Sequence, residues 1–356
     1  MIPRKLFGKL ADGCEVYIYT LKNKAGMTAE IINYGAIVVS LTVPDRNGKF
    51  EDVVLGYNNI ESYVADKNFF GCIVGRYGNR IRKGKFTLDG KVYQLGINNG
   101  EHHLHGGETG FYKRVWNAKP IDSETDPALN LSYISKDGEE GYPGTLSLSV
   151  MYTLTSNNEL KIEYTGTTDK TTILNPTHHS YFNLSGDINI SILNHEMEIK
   201  ADKMIPVDKD LIPLGWFEDV TNTPLDFRSR KKVDRDINLE FEQLKFASGY
   251  DHCWVINGYN KKINRIAGLY EIGSGRSMEV YSDQPGIQFY SGNFLDEKII
   301  GKKGIRSKQR SGLCLEAQHY PDSPNHPLFP SVTLMPGEIY KQTTIYKFST
   351  ELKEEF

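Results

Sequence analysis

Cysteine is scarce in this chain: four residues in 356, at Cys14, Cys72, Cys253 and Cys314, with no C-x-x-C pair among them. That spacing excludes a disulfide scaffold and leaves reduced, mostly buried thiols as the reading. Long apolar runs are missing too. No window approaches the ~18 residues of a membrane-spanning helix. The opening MIPRKLFGKLADG lacks the apolar stretch of a secretory signal, so a cytoplasmic location with no membrane partner is expected. Charge of neither sign is concentrated. The formal net charge is −3, and the basic clusters at 22–24 and 228–235 are short and mixed, which argues against nucleic acid as a partner. Helical periodicity is sparse, confined to Ile60–Ala65 and 239–246. Low-complexity tracts, fixed-period repeats and Gly/Ser or Pro linkers are also missing from the sequence.

Tyrosine is plentiful, at 21 copies within an aromatic content of 11%. It favours strands and binding clefts, where a flat apolar ring carries a polar tip. Apolar and polar residues alternate at 15–21, 29–43, 85–88, 91–95, 145–154, 160–165, 277–282 and 286–290, between Gly, Pro, Asn and Asp. Asp89-Gly90 reads as a two-residue hairpin turn and 156–159 as a second hairpin, while 121–130 reads as a polar loop. The pattern predicts an all-β chain with few short helices: one predominantly antiparallel domain over 1–356, built as a large sandwich of two sheets.

Several stretches could carry chemistry. GCIVGRYGNRIRKG at 71–84 is glycine-rich, but its spacing is neither G-x-G-x-x-G nor a P-loop, and no helix follows, so nucleotide binding is not expected. Arg76, Arg80 and Arg82 would share one face of an extended strand. One Arg beside a cleft can offer a fixed fork of donors to a polyol or carboxylate; a solvated edge is the other reading. EHHLHGG at 101–107 raises the question of a metal. His103 and His105 could share a strand face, yet no Cys or HExxH signature supplies further ligands, so none is expected. For His102 and His103 a surface loop with incidental histidines is one reading and their roles stay open, while His105, before Gly106-Gly107, is the one expected to be held in place. Asp251, at the start of an apolar stretch, can accept hydrogen bonds from two hydroxyls or simply close a turn. In SDQPGIQFYSGNF at 282–294, Gln288 and Tyr290 share one parity, which suggests a polar, aromatic face and makes Gln288 a candidate hydroxyl reader.

Two stretches place ionisable groups where burial would perturb them. In GLCLEAQHY at 312–320, Glu316 sits in a short apolar strand. Ionised glutamate is rarely buried without a partner, so Glu316 has either a structural cation or the raised pKa that suits a general base. In NPTHHSYFNLSG at 175–186, a strand over 160–174 delivers two adjacent histidines to the rim of a sheet. Neighbours on a strand point to opposite faces, so only one of His178 and His179 enters a cleft.

Taken together, GRYGNRI (75–81), LHGG (104–107), THHSYFNLSG (177–186), GYDH (249–252), QPGIQFYSGNF (284–294) and LCLEAQHYPDSPNHPLFPS (313–331) resemble the aldose 1-epimerases, the galactose mutarotases. The resemblance runs from about residue 13 to 346. It implies a β-supersandwich with an open cleft for one sugar, and interconversion of the α and β anomers of free aldoses such as galactose and glucose. By position, His179 matches the general acid, Glu316 the general base, and His105 a second active-site histidine that polarises and positions. Asn79, Arg80, Asp251 and Gln288 match sugar contacts, with Tyr181 beside the acid. Acid and base are expected on opposite sides of the anomeric carbon. No cofactor and no metal are required by this chemistry, although an incidental Ca²⁺ would leave little sequence trace. A monomer or weak dimer is expected. Against the family pattern, His178 stands where Asn is usual, Pro176 replaces an apolar residue, and 101–103 carries extra histidines. The alternatives are a hexose-phosphate 1-epimerase or a non-catalytic sugar-binding module on the same fold, and, more remotely, a zinc site on His103, His105 and His178.

Overall fold

The strand Leu146–Leu154 shows how this chain makes sheet: Leu146, Leu148, Val150, Tyr152 and Leu154 are buried, and the residues between them are less so. Period-2 alternation turns one face to a core and the other to water. In the computed structural model, which describes residues 1–351, this strand is third in a nine-stranded sheet. The order is Asn117–Ile121, Ala128–Ser135, Leu146–Leu154, Glu159–Thr168, Tyr340–Thr350, Arg276–Ser282, Asn264–Tyr270, Glu196–Ile199 and Lys231–Lys232. A five-stranded meander, Arg4–Lys9, Glu15–Lys22, Thr28–Ile32, Ile37–Pro44 and Phe50–Asp52, forms a second sheet. A third runs Glu218–Asp219, Lys203–Ile205, Asp251–Val255, Gly286–Tyr290 and Cys314–Gln318.

The all-β reading holds, with three principal sheets rather than two. One continuous apolar core joins them, taking Leu21 and Leu41 from the meander, Val150 and Tyr346 from the large sheet, and Trp254, Ile287 and Leu315 from the third. The only α-helices among the described residues are Ile60–Ala65, capped by Asn59 Oδ1 on Ser62 N at 2.8 Å, and Glu242–Ala247. The hairpin at Asp89-Gly90 forms between Lys85–Leu88 and Lys91–Gln94, with φ of 50° and 75° at the two turn residues, as the primed hairpin turns require.

Cys314–Gln318 lies at the edge of its sheet, and an edge leaves carbonyls that must be satisfied. Side chains do this. Tyr346 Oη donates to Leu315 O at 2.9 Å, and Thr177 Oγ1 and Gln342 Nε2 donate to Ala317 O at 3.0 and 3.1 Å. The strand carrying Glu316 is thereby fastened to the large sheet.

Three local expectations change. The run 29–43 is two strands, broken by a turn in which Ala36 has a φ of 50°. The segment 121–130 is a loop only in its middle, because the flanking strands reach Ile121 and start at Ala128. The arginines of 76–82 do not share a face, because Asn79 at φ 62° turns the backbone between them. Arg82 is exposed and Arg80 turns to the cleft described below, while Arg76 is buried. Its guanidinium donates to Ser135 Oγ, Ser135 O, Lys136 O and Pro143 O at 2.8–2.9 Å. Arg76→Met strands these acceptors. A loss of roughly 3 kcal/mol of unfolding free energy is expected in a urea titration, and a loss under about 0.5 kcal/mol would refute the fastening role.

Candidate active site

Three adjacent strands carry half of the site. Asp251–Val255 pairs with Gly286–Tyr290, which pairs with Cys314–Gln318, and the register sets Gln288 directly opposite Glu316. Every residue of the last two strands is buried, and Glu316 is 2% exposed. His179 arrives from the other side, just past the short strand Thr177–His178. Its backbone is held at both ends: His179 N donates to Cys72 O at 2.9 Å and Gly71 N donates to His179 O at 3.0 Å. The rings of Phe69, His105 and Tyr181 surround the imidazole at centroid distances of 5.8, 5.1 and 5.2 Å.

Within that cage the two nitrogens of His179 face different groups. Nε2 lies 3.6 Å from Glu316 Oε1, and Nδ1 lies 3.6 Å from Cys314 Sγ. Burial pushes His179 down to about 4. Burial also lifts Glu316 well above the usual carboxylate range; neighbouring Asp251 adds to the rise and Arg80 opposes it. Both shifts have the same leading cause, the penalty on charge in a medium of low polarisability. Between those limits the two groups together hold one proton, on the carboxyl, and both are neutral.

A polar arm extends from the pair. Gln288 Nε2 donates to Asp251 Oδ1 at 2.7 Å, Arg80 Nη1 lies 4.0 Å from Asp251 Oδ2, and Arg80 Nε donates to Asn99 Oδ1 at 3.3 Å. Gln288 Oε1 and Glu316 Oε2 are buried without a hydrogen-bond partner, so acceptor capacity is left over at the site. His105 has a φ of 52°, and its Nδ1 accepts from the backbone N–H of Asn79 at 3.1 Å. The ring proton must therefore sit on Nε2, and because burial holds this imidazole well below its usual range, His105 is a neutral donor.

These side chains enclose a cavity of about 200 Å³, lined by Asn79, Arg80, His105, His179, Tyr181, Asp251 and Glu316 together with Phe69, Asn99, Tyr290 and Phe294. Seven of the eight expected residues line it. Gln288 lies just beneath, on a pocket of about 10 Å³ that it shares with Asn79 and Asp251. Larger hollows of about 470 and 700 Å³ exist elsewhere. They are lined largely by charged groups, some of them in ion pairs such as Lys302–Asp52 and Arg228–Asp226, and neither lining contains a histidine to pair with a carboxyl, so chemistry rather than size selects the site.

The chain matches the family model described as aldose 1-epimerase over residues 17–347. The chain belongs to the aldose 1-epimerase family. It is 43% identical to the galactose mutarotase of Bos taurus and 42% identical to that of Homo sapiens, over 98% of each chain in both cases. It is 37% identical to the aldose 1-epimerase of Escherichia coli K12, covering 96% of this chain and 97% of that one. Among solved structures it superposes on the galactose 1-epimerase of Lactobacillus acidophilus with a TM-score of 0.87 at 30% identity, over 99% of both chains. A GalM/aldose epimerase homologue from C. elegans gives 0.86 at 33% identity, over 94% of this chain and 99% of that one.

For this family member several expectations need correcting. His179 Nε2 and Glu316 Oε1 are 3.6 Å apart, too close for the expected arrangement with a carbon atom between them. His102 and His103 are not surface-loop residues. Both are buried; His102 Nδ1 accepts from Lys83 N at 3.0 Å, and His103 spans Gly96 O and Tyr142 Oη at 2.7 Å each. His178 turns away from the cleft to Ser180 Oγ at 2.7 Å. A zinc site on His103, His105 and His178 is thus not assembled. Among the described residues, the one His/Cys/Asp/Glu group with converging ligand atoms is His179, Cys314 and Glu316, within 4.8 Å. Sequence reasoning missed Phe69, Asn99 and Phe294 in the wall and Cys314 behind the imidazole. Only Cys314 left a signal, as it shares the alternation of Glu316.

Gly106 is what allows His105 to turn inward: at φ 89°, a Cβ there would lie 1.7 Å from Gly75 O, which no side chain can tolerate. Gly106→Ala should destabilise the fold by roughly 2–4 kcal/mol. Thermal unfolding at the wild-type midpoint would show that the loop does not need this glycine.

Proposed function

We propose that this cleft interconverts the α and β anomers of free aldohexoses, galactose and glucose among them, by acid–base ring opening and reclosure. The observation that carries the reading is the 3.6 Å approach of His179 Nε2 to Glu316 Oε1, with both groups buried and perturbed in opposite directions. The two oxygens that exchange protons in this reaction, the anomeric hydroxyl and the ring oxygen, are bonded to one carbon. A closely spaced acid and base on one side of the sugar can reach both.

The steps balance as follows. Glu316, ionised, takes the anomeric hydroxyl proton as the C1 carbonyl forms and the bond from C1 to the ring oxygen breaks. His179, protonated, gives its Nε2 proton to that departing oxygen. Both groups are then neutral, the state that burial favours. Rotation about the C1–C2 bond presents the other carbonyl face. Neutral His179 takes the hydroxyl proton back, that oxygen attacks C1, and Glu316 returns its proton to the new anomeric oxygen. Each positioned proton transfer typically contributes ~10²–10⁴-fold. His105, a neutral Nε2–H donor, and the Arg80–Asp251–Gln288 arm would hold the remaining hydroxyls. Ring opening and reclosure involve no net oxidation or reduction, so the steps call for no redox cofactor, and proton transfer does the work that a metal would otherwise do.

A phosphorylated sugar would call for a basic pocket. Of the two cations lining the cavity, Lys67 and Arg80, Arg80 is engaged by Asp251 and Asn99, and a single remaining lysine favours a neutral ligand over a phosphate. A binding module would gain nothing from burying an unpartnered carboxylate oxygen beside an imidazole. Among the described residues no helix is long and apolar enough to cross a membrane. A cytoplasmic, single-domain protein that is a monomer or weak dimer agrees with this reading.

Polarimetry on freshly dissolved α-D-galactose tests it. Glu316→Gln cannot accept the proton, and kcat should fall by ~10³-fold with KM little changed; near-native turnover would sink the assignment. His179→Asn should lose turnover comparably, and wild-type-like activity would move the acid elsewhere.

The pH profile should be bell-shaped. A second proton reaches the pair as pH falls through about 4, where His179 titrates, and activity is lost there. The remaining proton leaves only above the raised range of Glu316, which sets the alkaline limb. An acid limb centred near 6.5 would contradict a desolvated imidazole.

A further inference from the structure

We propose that the Cys314 sulfur is the positioning group that keeps neutral His179 in its Nδ1–H tautomer and so leaves Nε2 free to give and take the proton. The inference rests on the anomer-exchange reading above, and it adds to it a requirement that this reading leaves unmet.

The requirement comes from proton bookkeeping on the ring. If Nε2 gives a proton to the sugar and later takes one back, the neutral ring between those events must carry its hydrogen on Nδ1. The same holds in the free enzyme, where neutral Glu316 can donate its O–H to Nε2 only if Nε2 bears a lone pair. Neutral imidazole has no strong preference of its own; the tautomer is set by the hydrogen bond that the other nitrogen makes. Among the described residues the hydrogen-bond partner of His179 Nδ1 is Cys314 Sγ, at 3.6 Å, a normal separation for a bond to sulfur. The sulfur accepts from Nδ1–H, and no proton crosses that contact. The only transfers occur at Nε2.

The strand supplies the geometry. Cys314 and Glu316 are two residues apart on Cys314–Gln318, so their side chains share a face and their Cα atoms are roughly 6.7 Å apart. An imidazole placed over that interval meets one residue with each nitrogen. One rigid element thus addresses both nitrogens of the acid, and its register against Gly286–Tyr290 pairs Cys314 with Tyr290 and Glu316 with Gln288. A slip of one residue would move both groups off that face together.

A thiol suits the task better than the carboxylate that often orients a catalytic histidine. A carboxylate behind Nδ1 would add a buried negative charge beside Glu316 and would bias His179 toward imidazolium. Neutral sulfur orients the ring without that bias. Cys314 is fully buried, and burial, with Glu316 and Asp251 nearby, pushes its thiol well above the usual range, so it stays neutral.

The test uses full-length protein labelled with 15N-histidine, the His179 signals being assigned by their loss in His179→Asn. At pH 7 the wild type should show Nδ1 protonated and Nε2 unprotonated. Cys314→Ala should shift the ring toward the Nε2–H tautomer and lower kcat about tenfold, with KM within about twofold, as loss of an orienting partner typically does. Cys314→Ser, whose oxygen can accept the same bond, should keep the Nδ1–H signal and most of kcat. A wild-type proton on Nε2, or wild-type tautomer and kcat in Cys314→Ala, overturns the proposal. If the alanine variant does not fold, the wild-type tautomer and the serine variant decide. Wild-type protein that fails to exchange anomers would defeat the functional reading instead, and the 15N shifts would still judge the sulfur contact.

Discussion

Removing a carboxyl and an imidazole from water is the constraint that the surrounding structure has to meet. Charged and unpaired, each would cost several kcal/mol inside a protein. Sharing one proton, Glu316 and His179 can both be neutral, and the shifts of opposite sign express that preference. The support is extensive. The edge carbonyls of the Glu316 strand are satisfied by Tyr346, Thr177 and Gln342. The backbone of His179 is pinned to Gly71 and Cys72. Asp251 is carried beside the pair with Gln288 and Arg80 as partners, so the local field is balanced rather than uniformly acidic.

Around this centre the chain adopts conformations that ordinary side chains avoid. Phe69, Asn79 and His105 all line the cavity and all have positive φ, at 61°, 62° and 52°. Left-handed backbone at non-glycine residues, and above all at a bulky Phe, persists only where neighbours over-determine it. The neighbours are identifiable. Asp66 accepts from Tyr57 Oη, Asn68 N, Asn68 Nδ2 and Phe70 N at 2.9–3.1 Å, a clamp that presents the Phe69 ring to His105 and His179. A wall set in advance spares a bound ligand the work of ordering it.

The sequence disclosed the strand alternation, the hairpin at Asp89-Gly90 and the helix Ile60–Ala65 because each is decided within a few residues. Glu316 was legible as a carboxylate in an apolar strand, and seven of the eight candidate residues line one cavity with the eighth directly below. What was not legible depends on distant partners. Nothing local distinguishes Arg76 from Arg80, since one faces the carbonyls of 135–143 and the other Asp251. His102 and His103 look solvated until Lys83, Gly96 and Tyr142 are folded against them. Alternation between 288 and 290 suggested one open face, but both faces of that strand are covered, one by core and the other by the cleft. Phe69 has no sequence signature because its role comes from a backbone angle that Asp66 imposes.

The strand Tyr340–Thr350 lies between Glu159–Thr168 and Arg276–Ser282, near the middle of the nine-stranded sheet, and its Tyr346 reaches the strand of Glu316. During synthesis the large sheet therefore exists as two unjoined halves until some 350 residues have been made. The inner edge Glu159–Thr168 is made first and Arg276–Ser282 later, and each stays open to wrong partners until Tyr340–Thr350 follows. Contacts this distant in sequence are slow to form, and this one closes last. Sheet closure and fastening of the Glu316 strand are thus a single late event, so a nascent or truncated chain that has not completed its fold has no supported acid–base pair with which to act.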